Sequence, residues 1–379
     1  MTPHRMRVLM ASTVHRWNDV RIYYKEALSL ATVADIHLVA VQDPDQGEVP
    51  NGVITVELLS SRGRRQGKGS SVLLRFRRLG QVLNIVLRRK YDVFHFHDPE
   101  LIPVGWFAKL RGKKVVYDMH EDAFTMLLAR TWLSRPLAWL MGFALRAIER
   151  VSLLIFDIFI LAAKSLAPSF KSSKCRLVLN YPIFNHVPPP NRRKDSEALK
   201  LVYAGALTMA RGAADMLEAV SALRRAGKNV TLDLFGMTSE SGLDERIKLA
   251  CEDSWVTYHG WLPMTQLLRE LPDYHVGLSP VHDYPNYRHA LLTKVLDYLA
   301  AGLPIVASRL PGTTEILAGA ECAVFYQTGN VSELQAAISV LLDEEKRFSL
   351  ANNGRKVIYQ YRWESQAEEL INIYREVLN

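Results

Sequence analysis

Cysteine is scarce and scattered. The three in 379 residues, Cys175, Cys251 and Cys322, include no Cys-x-x-Cys pair. A disulfide framework and a cysteine-held zinc site are excluded, and a reducing compartment is expected. Long hydrophobic runs are absent too. The most apolar stretch, 151–163, is too short to span a bilayer and is broken by Asp157. The first residues lack the apolar run and small-residue cleavage site of a secretory signal, so a cytoplasmic protein is expected, with membrane contact only at its surface. The glycine signatures of common nucleotide folds are missing as well. The first candidate strand runs into Met10-Ala11-Ser12-Thr13-Val14-His15, and its counterpart later in the chain into Tyr203-Ala204-Gly205-Ala206-Leu207. Neither is G-x-G-x-x-G, and G-x-x-x-x-G-K-[ST] does not occur, which argues against a nicotinamide or flavin dehydrogenase and a P-loop enzyme.

Acidic residues are missing from 58–91, which nonetheless carries ten Lys and Arg. The whole chain holds 47 Lys and Arg against 39 Asp and Glu, a formal net charge of +8. The surplus is uneven: residues 1–190 hold 27 against 15, a net of +12, and the rest 20 against 24, a net of −4. The two halves are expected to meet different partners, the basic one facing phosphates or anionic headgroups. Hydrophobic residues at 49% and aromatic residues at 9% are globular values. The length exceeds one ordinary core and suits two domains.

Short β-rich runs alternate with helical periods. Strands are expected at 6–12, 35–41, 92–97, 114–119 and 158–163, with helices at 20–31, 72–89 and 99–110. Near-continuous apolar strands separated by helices imply parallel βαβ units. The prolines Pro188, Pro189 and Pro190 open a polar stretch read as a linker, 186–199. Alternation then resumes at 201–205, 230–236, 255–259, 275–279, 304–308 and 322–325. The expected architecture is α/β, with two Rossmann-like domains, 1–185 and 200–360, facing a central cleft. The last helix, 363–379, can pack back on the first domain.

The strongest site signal is the run 286–304, where a loop enters a helix that Gly302-Leu303-Pro304 stops. The amino end of a helix suits a diphosphate. Lys294 adds a cation one turn before Asp297, whose carboxylate can accept two hydrogen bonds from a ribose diol. An ordinary amphipathic helix with an i, i+3 Lys–Asp pair fits the same residues.

Four stretches together resemble the retaining GT-B glycosyltransferases of the large group-one, family-four type. They are Val14-His15-x-x-x-Asp19-Val20-Arg21-Ile22; His95-Phe96-His97-Asp98-Pro99-Glu100-Leu101 with Val116-Tyr117-Asp118-Met119-His120-Glu121; Gly205-Ala206-Leu207-x-x-x-Arg211-Gly212; and Lys294-x-x-Asp297-Tyr298-Leu299-Ala300-Ala301-Gly302-Leu303-Pro304 with Gly312-Thr313-Thr314-Glu315. The resemblance implies a donor site built from Asp297, His289, Leu291, Gly205, Gly236 and Glu315. It makes Arg211 and Lys294 the diphosphate grip and His120 the residue that reaches the donor sugar, oriented by Asp118 or Glu121. Asp297 stands for the second Glu of the family's Glu-x7-Glu motif, and His289 replaces the first. Ala206 stands where the family has a second Arg. His15, Asp19 and Arg21 would face the acceptor, although Asp19 and Arg21 can equally pair at a helix start.

By the same resemblance a sugar moves with retention from a nucleotide diphosphate sugar, UDP-linked in preference to GDP-linked. No cofactor or metal is implied. The His95-x-His97 pair with Asp98 and Glu100 suits zinc, but the sequence offers no confident third and fourth ligand, and Asp98 reads better as the cap of a helix opened by Pro99. The basic segment 61–90 and the stretch 132–150, with Trp132, Trp139 and Phe143 among arginines, suit an anionic membrane; core packing of Trp139 and Phe143 is the competing reading. A lipid-linked or saccharide acceptor follows, in bacterial surface-polysaccharide assembly at the inner face of the membrane. Nucleic acid is not expected, because the basic run lacks interleaved stacking aromatics. The rivals are a nucleotide-sugar epimerase or phosphorylase on the same fold, and a non-catalytic nucleotide-sugar-binding scaffold.

Overall fold

The computed structural model describes residues 5–42, 52–60, 70–128, 133–191, 197–238, 240–290 and 292–378. The chain forms two compact units, one of Met1–Asn180 with Trp363–Asn379, the other of Tyr181–Arg362. The division falls ahead of the proline run, which belongs to the second unit. Val187 is buried there and accepts a hydrogen bond from Arg355, and a methyl on Gly302 would come within 2.6 Å of Pro188 O. The chain is therefore packed at Val187 and Pro188, while Pro189 is exposed.

The first unit holds seven parallel strands: β1 (Met6–Arg16), β2 (Ala34–Val41), β3 (Ile54–Leu59), β4 (Val93–Phe96), β5 (Lys114–Met119), β6 (Ile158–Leu161) and β7 (Cys175–Leu177). Their order is β3-β2-β1-β4-β5-β6-β7. Alternation along β1 sends Val8 and Met10 to one core, with Ile22, Leu370 and Tyr374, and Leu9 and Ala11 to the other, with Phe94, Phe96 and Phe159. Both sheet faces are thus covered, as a parallel sheet requires. The helix Trp363–Leu378 supplies part of the first core, burying Trp363, Leu370, Ile373 and Tyr374.

The second unit holds β8 (Leu199–Ala204), β9 (Val230–Phe235), β10 (Val256–Gly260), β11 (Val276–Ser279), β12 (Ile305–Ser308) and β13 (Ala323–Tyr326), in the order β10-β9-β8-β11-β12-β13. Each sheet is Rossmann-like, and in each the strand order reverses once, beside β1 and β4 in the first and beside β8 and β11 in the second. Ligands of open α/β sheets bind beyond the carboxyl ends of strands at such a reversal. His15, His97 and Asp98 lie there in the first unit, and Gly205 with Pro280–His282 in the second.

Candidate functional site

In the second unit two glycine turns shape the end of the sheet. Gly205 (φ +137°) and Gly236 (φ +144°) follow β8 and β9. A methyl on Gly236 would stand 1.9 Å from Gly205 O, so no other residue fits. Gly205 in turn leaves room for two cations, since a methyl there would lie 3.2 Å from Lys294 Nζ and 3.5 Å from Arg211 Nη1. Arg211 is set by its own turn. Thr208 Oγ1 accepts its N–H at 3.2 Å, and left-handed Gly212 (φ +71°) sits against Pro280 O beyond β11. Its Nε reaches Tyr287 Oη at 3.4 Å.

Lys294 opens the buried helix Thr293–Ala300. Its Nζ stands 3.6 Å from the centroid of the Tyr203 ring and has no hydrogen-bond partner among the described residues. Burial, with Arg211 nearby, pulls the amine well below its ordinary pKa, and the charge of Asp297 opposes the shift only in part. Tyr298 on the same helix accepts Ala204 N–H at 2.8 Å and donates to Leu278 O at 3.2 Å, tying the helix to the ends of β8 and β11. The structure thus brings Gly205, Arg211, Lys294 and Asp297 together. His289 is exposed just after the turn Pro285–Arg288, and the backbone of His289 and Ala290 packs on Gly312; a methyl at Gly312 would meet Ala290 O at 2.7 Å. Exposed Glu315 follows on the helix Pro311–Leu317. Leu291 lies outside the described residues. Sequence reasoning missed Tyr203, Tyr287 and Tyr298, whose roles depend on contacts that spacing does not show.

The first unit buries a charged network beneath its loops. Arg21 does not face an acceptor, as the sequence suggested. It turns inward and donates to both oxygens of Asp118 at 3.1 and 3.0 Å, with Glu26 2.8 Å away. Asp19 does not take this guanidinium as its hydrogen-bonding partner; its carboxylate accepts the N–H groups of Arg21 and Ile22 and meets His15 Nδ1 at 3.0 Å. His15 remains partly exposed. Burial disfavours its charge, but Asp19 first, then Asp98 and Glu121, raise it to about 9. Asp98 departs from its expected role as a side-chain cap. Its Oδ2 instead takes Ser12 Oγ at 2.8 Å and Thr13 N–H at 2.7 Å, tying β4 to the end of β1.

His120 is oriented by Asp118, at 3.3 Å, and contacts His97 Nδ1 at 3.1 Å. Although burial works against its charge, Arg21 and His120 hold Asp118 well below the usual carboxylate range. Burial pushes Glu26 well above that range against the pull of Arg21, and pushes His95 and His97 down.

Known proteins share this fold. Residues 198–344 match the model of the glycosyl transferases group 1, and residues 25–154 that of the glycosyl transferase 4-like domain. Sucrose-phosphate synthase from Thermosynechococcus elongatus superimposes with a TM-score of 0.74 at 17% identity, covering 99% of each chain. Anabaena HepE in complex with UDP-glucose does so at 0.69 and 14%, covering 98% of this chain and all of its own (100%). The fold is that of the GT-B transferases. The chain carries a group 1 glycosyltransferase domain and a glycosyl transferase 4-like domain. In sequence, it is 32% identical over 95 residues to the N,N'-diacetylbacillosaminyl-diphospho-undecaprenol alpha-1,3-N-acetylgalactosaminyltransferase of Campylobacter jejuni, 25% of each chain. It is 26% identical over 188 residues to glycogen synthase of Mycobacterium tuberculosis, 48% of this chain and 44% of that one. The chain therefore spans between a quarter and under half the length of these curated relatives.

Proposed function

We propose that the protein transfers a sugar from a nucleotide diphosphate sugar, UDP-linked in preference to GDP-linked, to a lipid-linked saccharide in bacterial surface-polysaccharide assembly. The observation that carries the donor side is the meeting of Arg211 and Lys294 over Gly205. Two cations, one without a hydrogen-bond partner among the described residues, converge where only backbone without a side chain fits. A diphosphate supplies the charge that this arrangement lacks. As the bond to the sugar breaks, negative charge builds on the β-phosphate, and these two groups stabilise it. Asp297 takes the ribose hydroxyls, and His120 serves the reacting sugar. No side chain is placed as a nucleophile in this reading. The acceptor attacks on the face the nucleotide leaves, the departing phosphate takes its proton, and configuration is retained.

Two observations support a membrane-borne acceptor. The helix Arg135–Ile155 exposes Trp139 (46%), Phe143 (59%) and Leu154 (79%) beside exposed Arg135 and Arg150, and its one acidic residue, Glu149, is buried. Aromatic and basic side chains on one helix suit an anionic bilayer surface, at about 1 kcal/mol per cation near it. No helix of the described residues is long and apolar enough to cross a membrane. The relative from Campylobacter carries a diphospho-undecaprenol acceptor in its name, and the chain also resembles WaaG, a glycosyltransferase of lipopolysaccharide biosynthesis (TM-score 0.66, 13% identity, 97% of this chain and 99% of that one). A thermal-shift screen of nucleotide diphosphate sugars tests the donor side, because a ligand of the folded state raises its stability. UDP-sugars are expected to raise the melting midpoint; no response to any nucleotide sugar would overturn the assignment.

A further inference from the structure

Glu26, His95, His97 and Asp118 meet in the interior of the first unit. They arrive from three elements: the helix Val20–Ala27, the end of β4, and β5. All four are buried, and one potential ligand atom of each lies within 4.8 Å of those of the others. Glu26 Oε2 is 3.8 Å from His95 Nε2 and 3.9 Å from His97 Nδ1, and His97 Nδ1 is 3.4 Å from Asp118 Oδ2. The outer atoms are held from behind. Tyr374 Oη meets His95 Nδ1 at 2.6 Å, and Arg21 lies against the far oxygens of Glu26 and Asp118 at 2.8 and 3.0 Å. Glu26 Oε2 and His95 Nε2 have no hydrogen-bond partner among the described residues, whereas His97 Nδ1 meets His120 Nε2 at 3.1 Å and Asp118 Oδ2 accepts from Arg21 Nε at 3.1 Å, contacts that an ion between the four would replace.

We propose that this cluster binds a divalent transition-metal ion of the zinc class, through Glu26 Oε2, His95 Nε2, His97 Nδ1 and Asp118 Oδ2. Metal–ligand bonds of about 2.0–2.2 Å in a tetrahedron place the ligand atoms roughly 3.3–3.6 Å apart, so the three pairs above need close by only a few tenths of an ångström, and the widest separation in the cluster, within 4.8 Å, by about 1 Å. Two imidazoles and two carboxylates are a donor set of intermediate softness, suited to zinc rather than to calcium or magnesium. With both carboxyl groups ionised, as metal ligands must be, and the Arg21 guanidinium beside them, one negative charge is left for a dication. Arg21 and Tyr374 stand where metal sites carry the hydrogen-bonding groups that fix ligand orientation. His120, 3.1 Å from His97 Nδ1, borders the ion, so the metal would position the imidazole assigned to the sugar. The His-x-His pair was visible in the sequence; its partners lie far from it along the chain.

Chelator-stripped protein titrated with Zn2+, and with Co2+ as a coloured probe, tests this. Expected are one equivalent bound per chain, a raised melting midpoint with Zn2+, and the visible absorption of tetrahedral Co2+. Glu26→Gln and His97→Gln should each weaken binding at least tenfold. If either fails to fold, Tyr374→Phe decides: it keeps all four ligands and should weaken binding about tenfold by releasing His95. Stripping should leave the response to UDP intact, which separates this site from the donor site. The proposal is overturned by an unchanged midpoint with no stoichiometric binding, or by binding that the variants retain in full.

Discussion

Lys294 is a buried amine beside another cation, and its low pKa is the cost of that placement. A bound diphosphate reverses the balance, because a nearby anion favours the charged form. Donor binding should therefore draw a proton from solution over a pH range that lies below the amine's ordinary titration. Calorimetry of UDP binding in two buffers of different ionisation enthalpy should give different heats, in the sense of proton uptake; equal heats would contradict this role. Lys294→Ala should weaken UDP binding roughly 10- to 100-fold, the value of one or two charge-assisted hydrogen bonds, without lowering the melting midpoint. His15 behaves oppositely. Its pKa is raised to about 9 by Asp19, so the stability it contributes is complete below its ordinary value near 6.5 and is lost as pH rises through about 9. The deficit of His15→Gln against the parent in thermal melts should be largest at pH 6 and shrink toward pH 10. At this scale the proposed roles of Lys294 and Asp297 could be read from residue type and spacing, and that of Arg211 only through the family resemblance. Glu26 was not: in sequence it is one acid on an amphipathic helix, and only three converging elements make it part of a buried cluster.

Among the elements, the helix Arg135–Ile155 carries the clearest testable surface. The sequence left Trp139 and Phe143 divided between core and membrane, since the aromatic and arginine spacing fits both. The structure exposes them, while Ala138, Gly142, Glu149 and Ser152 face inward; a methyl on Gly142 would meet the Phe124 ring at 2.6 Å. Trp139→Glu with Phe143→Glu should abolish binding to anionic liposomes in a flotation assay and leave UDP binding unchanged. Retained flotation would remove the surface from the account. The basic segment 61–90 lies outside the described residues over 61–69, and in its helix, Ser70–Arg88, one cation is structural: Arg78 is buried and donates to Thr13 O and Ser60 O. Central strands were readable as apolar runs. Strands β3 and β7 were not, because charges such as Glu57 and Arg176 interrupt their apolar pattern; on edge strands such charges blunt pairing with other chains.

At the scale of the whole chain, the division at Asn180 and the return of the last helix change the charge argument. The first unit holds 28 Lys and Arg against 19 Asp and Glu, a net of +9, and the second 19 against 20, a net of −1. The surplus still lies with the proposed acceptor unit, reduced by the four acidic residues of the closing helix. The sequence could not decide where that helix packs, because its amphipathic face fits either sheet. Its burial of Leu370 and Tyr374 in the first core predicts that Leu370→Ala costs about 2–5 kcal/mol, with a lowered first transition in calorimetry and an unaltered response to UDP. The central claim, transfer from a nucleotide diphosphate sugar gripped by Arg211 and Lys294, is tested most directly by release of UDP from UDP-sugars with and without a lipid-diphosphate-linked saccharide. The account predicts release that requires the acceptor and falls at least tenfold in Lys294→Ala. Release independent of acceptor, or undiminished in that variant, would contradict it.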